Sequence, residues 1–87
     1  MRQLFRFNAP AETDVAEFLR GFSSAYQVED GGDFFVLRPH SGPEFVFDCG
    51  VVPGGLLTSR SGEYFHFLGV FLEALTGQFG KVEVEDA

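Results

Sequence analysis

Cysteine and basic residues are scarce in this sequence. The first shortage excludes a disulfide within the chain, and the second argues against a nucleic-acid partner. Cys49 is the one cysteine, so no disulfide can form within the chain. Six lysine and arginine residues stand against 13 aspartates and glutamates, which gives a formal net charge of −7. The six are spread along the chain rather than clustered. Because a negative protein repels the phosphate backbone of nucleic acids, we expect no nucleic-acid partner.

Long apolar runs are also lacking. No stretch approaches the ~20 consecutive apolar residues that a membrane-spanning helix needs. The first residues do not combine a basic start, an apolar run and a small-residue cleavage site, the features of a signal peptide. Together with the single thiol, these absences lead us to expect a cytoplasmic protein with no membrane partner.

Phenylalanine, by contrast, is abundant. There are 12 Phe among the 87 residues, and 45% of the chain is hydrophobic. A disordered chain is poor in such residues. The length suits one hydrophobic core, so we predict a single α+β domain over residues 1–87.

The strongest apolar pattern lies in residues 61–77. At about 100° per residue, the large side chains of this stretch occupy one half of a helix circumference. They are Tyr64, Phe65, Phe67, Leu68, Phe71, Leu72, Ala74 and Leu75. We predict a helix that lies on a sheet, with Ser59 or Ser61 as its N-terminal cap and Gly77 at its end.

Periodicity elsewhere predicts a second helix and the strands of the sheet. Apolar residues spaced three and four apart indicate a helix that begins at Pro10 or Asp14 and fades after Gly21. Alternating residues predict strands at 2–8, 26–29, 33–38, 44–49 and 81–85, with a short additional strand at 56–58. Glycine and proline between them indicate turns, including a loop over 50–55.

The order of these elements favours one architecture. We expect a two-layer sandwich with both helices on one face of a mostly antiparallel sheet of four to six strands. The order strand, helix, three strands, a short strand, helix, strand is that of a ferredoxin-like variant with an added hairpin. The handedness of crossover connections favours parallel first and second strands, with the first helix between them. The order of strands in the sheet stays open.

The third predicted strand departs from alternation, because Phe34, Phe35, Val36 and Leu37 are all apolar. A strand of an antiparallel sheet with one wet face should alternate. Two large side chains, either Phe34 and Val36 or Phe35 and Leu37, therefore point away from the face that the helices cover. We expect a loop, a second copy or a partner to cover them.

The residue types that perform enzyme chemistry do not converge. Cys49 is predicted to point into the core and its neighbour Asp48 to the opposite side, so the two cannot work together. His66 falls on the polar side of the long helix, and His40 falls in a Pro/Gly turn. No CxxC, HxxxH or EF-hand spacing is present. We expect no catalytic residues, no metal and no cofactor.

The favoured function is therefore a non-catalytic, acidic protein-interaction module. Small acidic bacterial proteins that neutralise a toxin have this make-up, an analogy of composition and not of motif. The partner would be a protein with a basic surface, or a second copy. The expected contact residues lie outward on strands or on the polar side of the long helix: Phe34, Val36, Glu44, Asp48, Glu63, His66, Glu73, Glu83 and Glu85.

The alternative function is a small-anion or phosphate-binding module, or a minor enzyme. Ser59, Arg60 and Ser61, followed by Gly62, would bring hydroxyls and a guanidinium to the N-terminus of the long helix, which attracts anions. Serine before a helix is ordinarily a cap, however, and no GxGxxG or GxxxxGK[ST] motif is present. The anion site is therefore the less favoured hypothesis.

Overall fold

The computed structural model describes residues 2–42 and 44–87, and the described strands form one six-stranded sheet. In chain order the elements are β1 (Arg2–Arg6), α1 (Glu12–Arg20), a 3-10 turn (Gly21–Ser24), β2 (Tyr26–Asp30), β3 (Phe34–Pro39), β4 (Phe45–Val52), β5 (Gly55–Gly62), α2 (Phe65–Phe79) and β6 (Glu83–Asp86). The strand order is β2-β3-β4-β5-β1-β6, and every neighbouring pair is antiparallel. The prediction of a compact α+β domain with an antiparallel sheet is confirmed.

The two connections that contain helices join strands that are not adjacent. Because each neighbouring pair is antiparallel, β1 and β2 run in the same direction, as predicted, with three strands between them. In the same way β5 and β6 run in one direction on either side of β1. β2 and β6 are consequently the edges of the sheet.

The region between β4 and β5 differs from the prediction of a loop and a three-residue strand. Both strands are eight residues long, and Pro53 and Gly54 alone connect them, with Gly54 at a φ of +78°. The inward positions of β5 include Thr58 and Arg60, which are polar and yet buried. Their polarity conceals the alternation on which the prediction depended.

α2 begins later than predicted, because Ser61 and Gly62 belong to β5. Tyr64 is its N-cap residue, without a side-chain capping hydrogen bond, so neither Ser59 nor Ser61 caps the helix. Gly80, at a φ of +82°, follows its last residue, a place that favours glycine. The apolar face is as predicted at Phe67 and its successors, but Phe65 at the first turn is 75% exposed.

Side chains of both helices join one hydrophobic core with alternate residues of the strands. The helices contribute Val15, Ala16, Leu19, Phe67, Phe71 and Leu75, and the strands and the residue after β1 contribute Phe5, Phe7, Phe35, Leu37, Phe45, Phe47, Cys49 and Leu56. β6 takes little part in this core. Val84 is 47% exposed, whereas Val82, just before β6, is partly buried and packs against the core.

The apolar run of β3 divides between the two faces of the sheet. Phe35 and Leu37 are fully buried in the core, so Phe34 and Val36 are the pair that points away from it. We call the side of the sheet that faces away from the core cluster the open face.

Candidate functional site

The open face carries more apolar side chains than the sequence pattern predicts. Six of them alternate with core residues along their strands, and none belongs to the core cluster formed by the described residues or packs against it. They are Leu4, Phe34, Val36, Val46, Val52 and Leu57. Phe34 is 49% exposed, Val36 is buried among its neighbours, and the other four are half-buried. A sheet of a small domain thus presents a second apolar surface.

Strand register aligns part of this surface into one row across four strands. Phe34 on β3 pairs with Gly50 on β4, Gly50 pairs with Leu57 on β5, and Leu57 pairs with Leu4 on β1. We call these four residues the apolar row. Gly50 leaves a gap in the row, because Phe34 and Leu57 flank a position without a side chain.

The fold of the chain itself gives no reason for glycine at position 50. Gly50 is not among the glycines with positive φ, and a Cβ added there would meet only the carbonyl oxygen of Leu57, at an ordinary 3.8 Å. A central strand residue without a side chain weakens a sheet and often marks a close approach by another backbone or a ligand. The gap is therefore a candidate contact point.

The charged residues of the open face are nearly balanced, unlike those of the whole protein. Four acids and three arginines lie there, a net charge of −1 out of −7: Glu29, Asp48, Glu83, Glu85, Arg2, Arg6 and Arg38. Arg6 Nε lies 2.5 Å from Glu85 Oε2, and Arg38 Nη1 lies 3.5 Å from Glu29 Oε2. These pairs are exposed, so each contributes little to stability. Because the charges of the open face nearly balance, most of the protein's net negative charge lies outside this face.

The predicted contact residues divide between two separate surfaces. Phe34, Val36, Asp48, Glu83 and Glu85 lie on the open face. The remaining four, Glu44, Glu63, His66 and Glu73, lie elsewhere and are exposed. The backbone N–H of Glu63 donates a hydrogen bond to the carbonyl oxygen of Glu44 at 2.9 Å, which brings those two residues together ahead of α2. His66 and Glu73 are on α2 itself.

The residues of the predicted anion site do not converge. Because β5 extends through Gly62, Arg60 points to the core side, whereas Ser59 and Ser61 are on the open face. Arg60 is 5% exposed. Its guanidinium stands over the rings of Phe5, Phe47 and Tyr64, with its Cζ 5.9, 5.9 and 4.9 Å from their centroids, and donates a hydrogen bond to Gln3 Oε1. The prediction that these three residues meet at a helix N-terminus is wrong.

The thiol of Cys49 lies in the core, where the sequence pattern placed it. Burial raises the pKa of the thiol well above its ordinary value, and the carboxylate of Asp48 raises it further. A thiol that stays protonated is a poor nucleophile. Within the described ranges no three His, Cys, Asp or Glu side chains are grouped closely enough to hold a metal ion.

One cleft was not foreseen from the sequence. It has a volume of about 410 Å³ and lies beside the turn after β3, where β2 and β4 begin and β3 and β5 end. Arg38, His40, Glu44 and Ser61 are among its lining residues. It brings a guanidinium, an imidazole and a carboxylate to one rim, although the sequence gives no motif for it. All three side chains are exposed.

Comparison of the chain with protein-family models, with curated proteins and with solved structures returned no match. No helix in the described part of the chain combines the length and apolar character required to span a membrane.

Proposed function

We propose that this protein is a non-catalytic protein-interaction module and that the open face of its sheet is a contact surface. The observation that supports the proposal most directly is the apolar row, where Phe34 is half exposed and the gap at Gly50 has no explanation within the chain. Apolar side chains that converge on one surface of a small protein are typical of sites where another macromolecule binds. A module of this kind needs no catalytic chemistry.

A partner with a basic surface is the second part of the proposal. Outside the open face the protein carries six of its seven net negative charges, and Glu63, His66 and Glu73 are exposed there on and ahead of α2. Complementary charge accelerates association and selects among partners. A toxin-neutralising inhibitor that occupies the basic active-site surface of its target would use such a surface, together with Glu44 beside Glu63.

We also infer that the two helices form one layer over the sheet, as in a ferredoxin-like variant. Both helices contribute to the same core cluster, and the connections through α1 and α2 each join strands that run in one direction. The hairpin of β2 and β3 then widens the sheet at one side. This layout leaves the open face without a helix to cover it.

The experiment compares complexes formed by the wild type and by two surface variants, in pure solution and in an extract of the cells of origin. Leu57→Lys places a charge in the apolar row, and Ser23→Lys places the same charge on an exposed residue of the 3-10 turn that belongs to neither proposed contact surface. We expect the complex made through the open face with the wild type and with Ser23→Lys but not with Leu57→Lys. Circular dichroism confirms that both variants fold.

The proposal would be contradicted if the wild type formed no complex with itself or with another protein. It would also be contradicted if Leu57→Lys kept every complex of the wild type. For the basic partner, Glu63→Gln combined with Glu73→Gln should weaken capture at least about tenfold, since each lost charge pair at an interface changes association. Equal capture of the partner by the wild type and by the double variant would contradict the proposal that the partner has a basic surface.

A further inference from the structure

We propose that the open face binds a second copy of this chain, in a dimer whose twofold axis runs along the strands between β4 and β5. The inference rests on the first part of the proposed function, the open face as a contact surface, and it names the molecule that binds this face. Three features of the open face support a dimer: the register of the apolar row, the charges beside it and the distribution of net charge over the protein.

The apolar row is self-complementary about that axis. A twofold rotation places β4 over β5 of the other copy and β3 over β1 of the other copy, because these strands are equally distant from the axis. Leu57 then lies over Gly50 of the other copy, and Phe34 lies over Leu4. Each contact occurs twice, as an isologous interface requires. The large side chain of Leu57 thereby fills the gap that Gly50 leaves.

The adjacent row of the open face supplies complementary charges at the same time. It consists of Glu29, Val36, Asp48, Ser59 and Arg2, in register across five strands. The same rotation places Arg2 over Val36 of the other copy. The guanidinium would then lie between the carboxylates of Glu29 and Asp48, which flank Val36 on the neighbouring strands. Two sheets that pack face to face in this way cross at about 30°. This rotation displaces residues near the axis only slightly, so the facing pairs are kept.

The distribution of net charge selects this face for self-association. Two copies of a protein with a charge of −7 repel each other. The open face carries −1 of that charge, and the rest of the molecule carries −6. Contact through any other side would bring the acidic surfaces together, whereas contact through the open face keeps them apart.

The size of the open face indicates a dimer of moderate affinity. Strands lie about 4.8 Å apart and rise about 3.4 Å per residue, so six strands and six residues span roughly 25 by 20 Å. An interface on the order of 500 Å² per copy is at the low end of specific complexes, which bury about 800 Å² per partner. We expect a dissociation constant on the order of micromolar.

Sedimentation velocity of the purified protein from about 1 to about 300 µM tests the inference, because this range brackets a micromolar constant. The wild type should change from monomer to dimer across it. Gly50→Val adds a side chain that its own strand accommodates, so the variant should stay folded, yet it should bind at least about tenfold more weakly. Gly69→Val is the matched control, because a Cβ at that exposed helix position meets nothing within 4 Å. It should dimerise like the wild type.

A charge exchange gives a second, independent readout. Arg2→Glu should weaken the dimer, and adding Asp48→Arg should restore part of the affinity, because Arg2 and Asp48 of the other copy are diagonal neighbours across the interface. A monomer at every concentration would overturn the inference, and so would a dimer that Gly50→Val leaves intact. A monomeric protein that captures a different protein, and loses it in Leu57→Lys, would overturn the inference while the proposed function stands. Failure of both experiments would overturn both.

Discussion

The ring of Phe71 packs α2 against the sheet. Its truncation to alanine should therefore remove much of the stability of the domain. The ring is fully buried. Its centroid lies within 6.2 Å of the ring centroids of Phe5, Phe18, Phe22, Phe47 and Phe67. These neighbours come from β1, α1, the 3-10 turn, β4 and α2. A cavity at this point would therefore separate elements from both layers of the core.

The size of the effect follows from burial and from the total stability of a small domain. Replacing a buried phenylalanine with alanine costs about 3 to 5 kcal/mol, because transfer free energy is lost and a cavity remains. A domain of this length has a free energy of unfolding of about 4 to 13 kcal/mol. With a urea dependence of about 1.5 kcal/mol per molar, the unfolding midpoint should fall by about 2 to 3 M.

Urea unfolding followed by far-ultraviolet circular dichroism measures this change, since the chain has no tryptophan to report it by fluorescence. Phe65→Ala is the matched control, with the same substitution in the same helix at a side chain that is 75% exposed. It should cost less than about 1 kcal/mol, as exposed substitutions usually do. A Phe71→Ala midpoint within 0.5 M of the wild type, or equal losses in both variants, would refute the assignment of the buried helix face.

Three further predictions test other parts of the fold. Gly62→Ala should destabilise strongly in thermal unfolding, because Gly62 has a φ of +81° and a Cβ there would collide with the carbonyl oxygen of Glu44. Cys49 should react with a thiol reagent at pH 8 only after global unfolding, since burial raises its pKa; rapid reaction of the native protein would contradict this. Arg20, whose Nε lies 2.6 Å from Asp30 Oδ2, lowers the pKa of Asp30. The ion pair stabilises the fold at pH values above the pKa that Asp30 has in the unfolded chain. This stabilisation is lost as the pH falls through the lower pKa that Asp30 has in the folded protein. Asp30→Asn should thus lower the melting temperature at pH 7 but not in acid below both pKa values.

The elements that followed simple alternation or helical spacing could be predicted from the sequence. β2, β3 and the buried face of α2 carry apolar residues at the expected intervals, and the surplus in β3 correctly indicated that two side chains leave the core. The hairpin of β4 and β5 could not be predicted, because inward Thr58 and Arg60 are polar and Gly50 resembles the start of a loop. Sequence periodicity detects only apolar inward positions.

The surface of the candidate site was predictable only in part. Phe34 and Val36 could be named because their strand has no polar alternation. Leu4 and Leu57 could not, since each is a single extra apolar residue beside one core residue, and only the pairing of β1 with β5 brings them beside each other. The strand order decides which residues share a row, and no local pattern in the sequence specifies the order of non-adjacent strands.

Two residues have a type that does not suit their place in the sheet, and the contrast between them indicates where a partner would bind. Arg60 is a cation at an inward position, but three aromatic rings and the side chain of Gln3 surround its guanidinium, so the chain itself accounts for it. Gly50 is a glycine in the middle of a strand, and neither its backbone conformation nor a neighbouring atom requires it. Departures from local preference that the fold does not explain are expected at functional sites. By this reasoning Arg60 is a structural residue, whereas Gly50 and the apolar row around it form the surface that a second molecule completes.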